Sequence, residues 1–185
     1  ATADIGRAKG ESAAERVRTL DPNVTVARHR VRIDTANAAD IAQDYDLVAD
    51  GSDNLATRVA VHDACFTLGK PLVSASVQGW DGQLTTYKAH LGPPHPCLRC
   101  VFPDVPSAEA LPSCAQGGVL GPAAGVMGCL QAVEVVKELL GFADASLSGT
   151  LLLYDALSVG LERIRPTRSP ACGTGCVRLG RPCAA

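Results

Sequence analysis

The sequence has few aromatic residues, little net charge and no long uninterrupted apolar run. It contains one tryptophan, three tyrosines and three phenylalanines among 185 residues, and its formal net charge is -2 at pH 7. Because nucleic-acid-binding proteins are usually strongly basic, this charge argues against a nucleic-acid partner. The most apolar stretch, residues 117–142, is interrupted by Pro122, Gln131 and three charged residues. It therefore predicts a buried helix and no membrane span.

Signals for secretion are also lacking. The first 18 residues contain no apolar core, so we expect no signal peptide there. The chain has eight cysteines, a density below that of small proteins held together by disulfides. We therefore expect a reducing, cytoplasmic environment, in which closely spaced cysteines are more often metal ligands than disulfides.

The apolar patterns that are present predict an α/β protein. Helical and strand patterns that alternate with short connections are typical of a doubly wound, largely parallel sheet. The helices predicted from apolar spacings of three and four are residues 10–20, 36–43, 54–69 and 121–140. The strands predicted from short apolar or alternating runs are residues 24–33, 45–51, 71–77, 82–89 and, as a late hairpin, 150–157 and 158–166.

The helix predicted at 121–140 has an apolar stripe. The residues of this stripe are Val126, Leu130, Val133, Val136 and Leu140. Cys65 and Cys129 also fall within helical patterns, and we expect both in the core as small apolar side chains.

An acidic loop follows one of the predicted buried strands. Residues 50–54, with the sequence DGSDN, lie at its carboxyl end, where open α/β sheets bind ligands. An aspartate there can bind Mg²⁺ through one oxygen while phosphates supply others, and Asp53 is the candidate. The alternative is that Asp53 or Ser52 only caps the next helix. Lys9, at the start of a predicted helix, can meet a phosphate, although a solvated surface lysine is the alternative.

Two cysteine pairs can form a metal site. Cys97 and Cys100 are separated by two residues, and Cys172 and Cys176 by three. Two short chelating loops with four thiolates suit structural zinc, which prefers tetrahedral sulfur ligands. Cys183 is an alternative fourth ligand because the second pair has the longer spacing. Unpaired or redox-active thiols are the other interpretation.

Cys114 belongs to neither pair. It lies near the end of the irregular, proline-rich segment 91–118, just before a predicted helix. Long segments of this kind in compact domains are usually functional or disordered. A helix N-terminus lowers a thiol pKa and favours the thiolate, which makes Cys114 a candidate nucleophile. The alternative is a buried, inert thiol.

These motifs occur in an order that resembles the ThiF/MoeB/HesA family, the bacterial relatives of the ubiquitin-activating enzymes. The segments that carry the resemblance are DLVADGSDNLATR, PLVSASVQGWDGQL, PCLRCVFPD, CAQGGVLGPAAGVMGCLQAVEVVKELLG and the terminal cysteine pair. The resemblance extends from Asp4 to Cys176. It implies a single adenylation domain over residues 1–185, with a Rossmann-like, doubly wound, mostly parallel sheet, C-terminal antiparallel strands and a tail fastened by zinc.

The resemblance also implies a reaction. Members of this family bind MgATP and adenylate the C-terminal Gly-Gly carboxylate of a ubiquitin-like sulfur-carrier protein, releasing pyrophosphate. A persulfide then donates sulfur. The segment 103–114 is more similar to the ThiF, thiamine-thiazole branch, which implies a ThiS-like carrier. The alternative is the MoeB, molybdopterin branch with a MoaD-like carrier.

The family's functional residues can be matched to positions in this sequence. By resemblance, Lys9 contacts a phosphate, Asp53 is the essential Mg²⁺-associated aspartate, and Asn54 and Arg58 lie beside the nucleotide. Cys114 matches a cysteine that in several members links covalently to the carrier or takes part in sulfur transfer. The two cysteine pairs match the structural zinc, whose closed site leaves no open position for chemistry.

One part of the family pattern is not found in this sequence. The family begins with a strand, a G-x-G-x-x-G turn, an acidic residue for the ribose and an arginine that reaches the other subunit of a homodimer. We therefore expect a truncated piece of the enzyme, without the first strands of its sheet and with half of its nucleotide site. A non-catalytic carrier-binding fragment is one alternative. An NAD(P)-dependent oxidoreductase is another, although no histidine or tyrosine is suitably placed for hydride chemistry.

Overall fold

The computed structural model describes residues 2–103 and 118–173 of the chain. The chain forms two compact units, Ala1–Arg32 and Ile33–Ala185. In the described part of the chain, no helix combines the length and apolarity that a membrane span requires.

The first unit is built around one helix. Helix α1, Lys9–Leu20, confirms the helix predicted at 10–20. Arg7 forms ion pairs with Asp4 at 3.0 Å and with Glu15 at 2.7 Å, and the second pair links a residue just before the helix to a residue within it.

The strand predicted at 24–33 is wrong. None of these residues, all of which the structure describes, is in a strand, and Val24 and Val31 are 46% and 58% exposed. Val24 lies at an even position, whereas Val31 and Ile33 lie at odd positions. A continuous strand would place them on opposite faces, so the segment has no single apolar face to pack against a core.

The second unit contains a five-stranded sheet and helices. The helices are α2 (Ala38–Ala42), α3 (Leu55–Leu68), α4 (Leu98–Val101) and α5 (Gly121–Leu139). The strands are β1 (Val48–Asp50), β2 (Leu72–Gln78), β3 (Asp81–Tyr87), β4 (Leu151–Asp155) and β5 (Gly160–Ile164). Every one of these elements except α4 was predicted from the sequence pattern.

The five strands are adjacent in the order in which they occur along the chain. β1 and β2 are parallel, with Val48 opposite Leu72 and Asp50 opposite Ser74, and α3 makes the crossover between them. The pairs β2–β3, β3–β4 and β4–β5 are antiparallel. The mixed sheet confirms the α/β class, and the last pair confirms the late hairpin. Among the described strands, the parallel character is confined to the β1–β2 pair.

The ends of α3 are set by its own flanking residues. Asn54 Oδ1 accepts a hydrogen bond from the Thr57 N–H at 2.8 Å and caps the first turn. Gly69 ends the helix with a φ of 69°, a left-handed conformation that favours glycine. Residues 51–54 are therefore the complete connection from Asp50, at the carboxyl end of β1, to α3.

Helix α5 packs across β2 and β3. Its buried residues are Ala123, Met127 and Glu134. Met127 lies so close to Gly82 of β3 that a Cβ atom added there would collide with the Met127 sulfur. Glu134 accepts a hydrogen bond from Thr86 Oγ1 at 2.8 Å, which satisfies a carboxylate on the buried face.

The predicted apolar stripe of α5 is not its buried face, and in this respect the prediction of a buried helix is wrong. Most of the stripe is exposed to solvent: the side chains that are 38–62% exposed are those of Val126, Val133, Val136 and Leu140. Of the stripe residues, only Leu130 packs against the core cluster that includes Val73, Leu84 and Met127. Small and flexible side chains let the helix approach the sheet closely, whereas bulky valines would hold it away. Cys129, predicted in the core, is also exposed, while Cys65 is buried as predicted.

Candidate functional site

The first candidate site is the loop of residues 50–54. Asp50 is 6% exposed, and its Oδ1 accepts a hydrogen bond from the Ser52 N–H at 2.9 Å. This contact closes the turn and leaves Asp53 exposed. Because Asn54 caps α3, the capping alternative does not hold for Asp53 or Ser52. Helix capping therefore does not account for the presence of a carboxylate at position 53.

Arg58, on the first turns of α3, fixes this loop. Its Nε donates a hydrogen bond to the Ser52 carbonyl at 3.0 Å, and its Nη2 reaches the Ala75 carbonyl at 3.4 Å. The guanidinium thus connects the loop to the middle of β2. Its predicted position beside a nucleotide stays a prediction, but its contact with the loop gives it a defined place at the site.

Gln131 is a functional candidate that sequence reasoning missed. Its Nε2 donates hydrogen bonds to the Asp50 carbonyl at 2.9 Å and to the Val73 carbonyl at 3.0 Å. The side chain therefore fixes β1 at the point where the candidate loop begins. The signal was available, because Gln131 is the only amide side chain in the apolar sequence of α5.

A groove of about 900 Å³ opens beside the loop. Asp53, Asn54 and Arg58 line it, together with residues of all four strands from β2 to β5. Its walls carry apolar side chains such as Leu153 as well as polar ones. The groove is of a size that takes a small molecule or an extended peptide.

The residues of this site fit a magnesium-bound nucleotide. Asp53 offers an exposed carboxylate beside the groove, and oxygen is the ligand that Mg²⁺ prefers. The Ser52 hydroxyl is buried yet has no hydrogen-bond partner among the described residues. A buried hydroxyl of this kind calls for a hydrogen-bond partner, but Ser52 is not among the residues that line the groove.

The second candidate site is a cluster of three thiols. The sulfur atoms of Cys97, Cys100 and Cys172 all lie within 4.8 Å of one another, and those of Cys97 and Cys100 are 3.6 Å apart. Zinc at about 2.3 Å from each sulfur requires tetrahedral ligands roughly 3.8 Å apart. The structure therefore brings one predicted pair together with one member of the other pair, in an arrangement that fits zinc.

The surroundings of the cluster shift the pKa values of two of its thiols in opposite directions. Burial by itself raises the pKa of the Cys100 thiol, but hydrogen bonds from the N–H groups of Ser169 and Cys97 and from neighbouring thiols lower it overall. The Ser169 N–H lies 3.4 Å from the Cys100 sulfur. Burial, together with contacts to the other two thiols, raises the pKa of Cys172 to about 12. Metal binding at this cluster would therefore displace a proton.

Several predicted site residues are not brought together here. Lys9 is exposed at the first position of α1, in the first unit, and its predicted phosphate contact stays a prediction. Cys114, Cys176 and the alternative ligand Cys183 lie outside the described residues. The fourth metal ligand and the candidate nucleophile therefore stay predictions as well.

Comparison with known sequences shows the family to which the chain belongs. The profile of the ThiF family matches residues 1–174. The chain is 43% identical over 173 residues to the sulfur carrier protein adenylyltransferase of Thermus thermophilus, covering 92% of this chain and 64% of that protein. It is 49% identical over 173 residues to the adenylyltransferase and sulfurtransferase MOCS3 of Bos taurus, covering 91% of this chain and 37% of that protein. The chain thus spans less than two thirds of the length of these relatives.

Comparison with solved structures shows the same fold. The crystal structure of E. coli MccB with ATP superposes with a TM-score of 0.73 over 91% of this chain and 51% of that chain, at 15% identity. The crystal structure of PaaA superposes with a TM-score of 0.67 over 91% of this chain, at 16% identity. At such low identity, the similarity concerns the fold alone.

Proposed function

Because the chain belongs to the ThiF family, we propose that it is part of an enzyme that adenylates the C-terminal carboxylate of a ubiquitin-like sulfur-carrier protein. The names of the relatives in Thermus thermophilus and Bos taurus support this activity. Since the chain spans only part of those proteins, activity, substrate and partner are all proposed for the complete enzyme to which these residues belong.

The observation that carries this proposal is the position of Asp53. It is an exposed carboxylate at the carboxyl end of a parallel strand, it lines the groove, and it is not used to cap a helix. Open α/β sheets bind nucleotides at this place. Mg²⁺ bound there would neutralise part of the phosphate charge, so that an anionic carboxylate can approach a polyanion.

In the proposed reaction, one oxygen of the carrier's C-terminal carboxylate attacks the α-phosphorus of ATP. The bond from that phosphorus to the bridging oxygen of the β-phosphate breaks, and pyrophosphate leaves with the electron pair. The groove provides room for an extended Gly-Gly tail that leads to Asp53. Arg58 and Gln131 keep the loop and strand ends in place, and such positioning supplies much of the catalysis in phosphoryl-type transfers.

The pathway of the carrier is a further part of the proposal. The segment 103–114 favours a ThiS-like carrier in thiamine-thiazole synthesis. The names of the two relatives do not distinguish this branch from the molybdopterin branch, so a MoaD-like carrier is the alternative. We also propose that the complete protein receives sulfur from a persulfide donor, forms a homodimer and is located in the cytoplasm.

We also propose that Cys97, Cys100 and Cys172 bind structural zinc, with Cys176 or Cys183 as the fourth ligand. The mutual distances and the all-sulfur donor set support zinc over magnesium or calcium. Bound zinc would hold the carboxyl-terminal part of the chain against the segment that precedes α4. Cys114 is kept as the proposed site of a covalent link to the carrier.

The reaction is tested by ATP–pyrophosphate exchange with a Gly-Gly-tailed carrier protein. The assay uses this chain and a version preceded by the Gly-rich N-terminal part of a relative. We expect Asp53→Asn to reduce exchange in the extended version by about a hundred-fold or more, because a charge-stabilising group is lost. Asp44→Asn, which changes an exposed carboxylate outside the groove, is the matched control and should leave exchange unchanged.

Other outcomes of this assay are equally informative. Equal exchange by the Asp53 variant and the control would contradict the assignment of Asp53. Carrier binding without exchange in either version would instead support the alternative of a non-catalytic carrier-binding fragment.

A further inference from the structure

The two residues between Cys97 and Cys100 are fixed by helix α3. The Leu98 N–H donates a hydrogen bond to His62 Nε2 at 3.1 Å. The Arg99 guanidinium binds both oxygens of Asp63, with Nη1 to Oδ1 at 2.6 Å and Nη2 to Oδ2 at 2.8 Å. The first cysteine pair is therefore attached to the body of the second unit through its own intervening residues.

His62 and Asp63 form one network with Arg99. Because His62 Nε2 accepts from a backbone N–H, its proton lies on Nδ1, which is 2.9 Å from Asp63 Oδ1. One carboxylate thus receives hydrogen bonds from both the imidazole and the guanidinium. His62 is 2% exposed and Arg99 is 4% exposed. We call these three residues the Asp63 network.

The burial of these charged side chains is not explained by stability alone. Removing charged groups from water is costly, and a buried ion pair is often no more stabilising than apolar side chains of the same volume. Its benefit is a fixed geometry, because a bidentate arginine–carboxylate pair specifies both distance and angle. The part of the chain whose geometry is fixed here is the Cys97–Cys100 turn.

Arg168 makes the corresponding contacts for the other half of the cluster. Its Nη1 donates to the carbonyl of Ala89 at 3.1 Å and also to that of His95. Its Nη2 donates to the carbonyl of Cys172 at 2.9 Å. One guanidinium therefore joins the segment that leads into Cys97 to the residue that carries the third sulfur.

We propose that the Asp63 network and Arg168 are positioning residues for the metal centre, and that they hold the three sulfur atoms in a chelating arrangement before the metal binds. This inference rests on the proposed zinc site. A ligand set that is ordered in advance pays less conformational entropy on binding, so its metal affinity is higher. Groups that orient metal ligands in this way typically change affinity about 10- to 100-fold when they are removed.

The test measures the zinc affinity of the metal-free, reduced full chain by competition with a chromophoric chelator. The variants are Arg99→Met, Asp63→Asn, the double variant and Arg168→Met. Arg163→Met, which changes an exposed arginine on β5, is the matched control. We expect each single variant to bind zinc about 10- to 100-fold more weakly and the control to bind as the wild type does. Because Arg99 and Asp63 act as a pair, the double variant should lose little more than either single variant.

Two further readouts separate positioning from a general loss of stability. The thermal midpoint of each metal-free variant shows whether the fold itself is weakened, and if Arg99→Met does not fold, Asp63→Asn carries the test. The visible spectrum of the Co²⁺ form reports the geometry of the thiolate ligands, and we expect it to change in the network variants. Arg99→Lys, which keeps the charge but loses the bidentate geometry, should restore affinity only in part.

The outcomes distinguish this inference from the zinc proposal beneath it. A wild-type chain that binds no zinc would overturn both. A wild-type chain that binds zinc, with network and Arg168 variants that bind within twofold of it and show the same Co²⁺ spectrum, would overturn the positioning role alone. Weaker zinc binding with an unchanged metal-free midpoint would support it.

Discussion

Asp63 remains charged although most of its side chain is withdrawn from water. Burial by itself raises the pKa of this carboxyl group, but hydrogen bonds from Arg99 and His62 outweigh burial and hold it below its usual value. The residue illustrates how a carboxylate with two donors can stay ionised near a core. A carboxyl group whose pKa is lowered by folding also makes stability depend on pH.

We therefore expect a loss of stability at acid pH that can be traced to Asp63. Its contribution is present above the pKa of the unfolded state, about 3.9, and is lost as the pH falls through the lower pKa of the folded state. Urea unfolding of the metal-free protein at about pH 5 and pH 3 measures this loss. Wild-type protein should lose more stability over this interval than Asp63→Asn, whose amide does not titrate.

The control for this measurement is Asp44→Asn, because Asp44 is exposed. This variant should lose as much stability as the wild type between the two pH values. If Asp63→Asn and Asp44→Asn lost stability equally, the pKa of Asp63 would not be linked to folding.

The elements of the second unit could be predicted because each carries a clear local pattern. β2 is a short apolar run, and α3 has a capping asparagine and a terminal glycine at its two ends. The strand prediction for residues 24–33 failed because its apolar residues switch from even to odd positions, so a strand there would have no single apolar face. The orientation of α5 also failed, because a stripe of valines indicates an apolar face without showing which face the sheet accepts. Helix orientation depends on partners that are distant in the sequence.

The close approach of α5 to β3 leads to a prediction at this scale. Gly82→Ala should decrease the free energy of unfolding by about 1–3 kcal/mol, because the added Cβ atom collides with the buried Met127 side chain. Urea unfolding measures the change. Met127→Ala should cost less in the Gly82→Ala background than in wild type, since the new methyl group occupies part of the space that Met127 leaves.

Gly125→Ala on α5 is the matched control for Gly82→Ala. A Cβ atom added at Gly125 meets no other atom within 4 Å. Alanine is also a better helix former than glycine, so this variant should be neutral or more stable by up to about 1 kcal/mol. A Gly82→Ala protein as stable as the Gly125→Ala protein would show that α5 moves away from the sheet without cost.

At the scale of the whole molecule, the sequence predicted the reactive and metal-binding groups of the candidate sites but not the residues that hold those groups in position. The DGSDN loop and the cysteine pair were found because their residues are neighbours in the chain. The Asp63–Arg99 pair joins positions 36 residues apart, and the Arg168 contact with Ala89 joins positions 79 apart. Such contacts follow from the folded chain and leave no short motif. The geometry of the metal site therefore depends on the folded second unit, because residues far apart in the sequence hold its ligands in place.

The metal site gives the last prediction, which compares two buried cysteines. Cys97 belongs to the thiol cluster, whereas Cys65 is a core residue whose pKa is raised to about 12, first of all by burial. Cys97→Ser and Cys65→Ser both replace a buried thiol with a hydroxyl, so both should lower the thermal midpoint. Only Cys97→Ser should lose bound zinc, measured by elemental analysis, and only that variant should become insensitive to a chelator. Equal zinc content in the two variants would contradict the ligand assignment, because removing one thiolate from a four-thiolate site weakens zinc binding strongly.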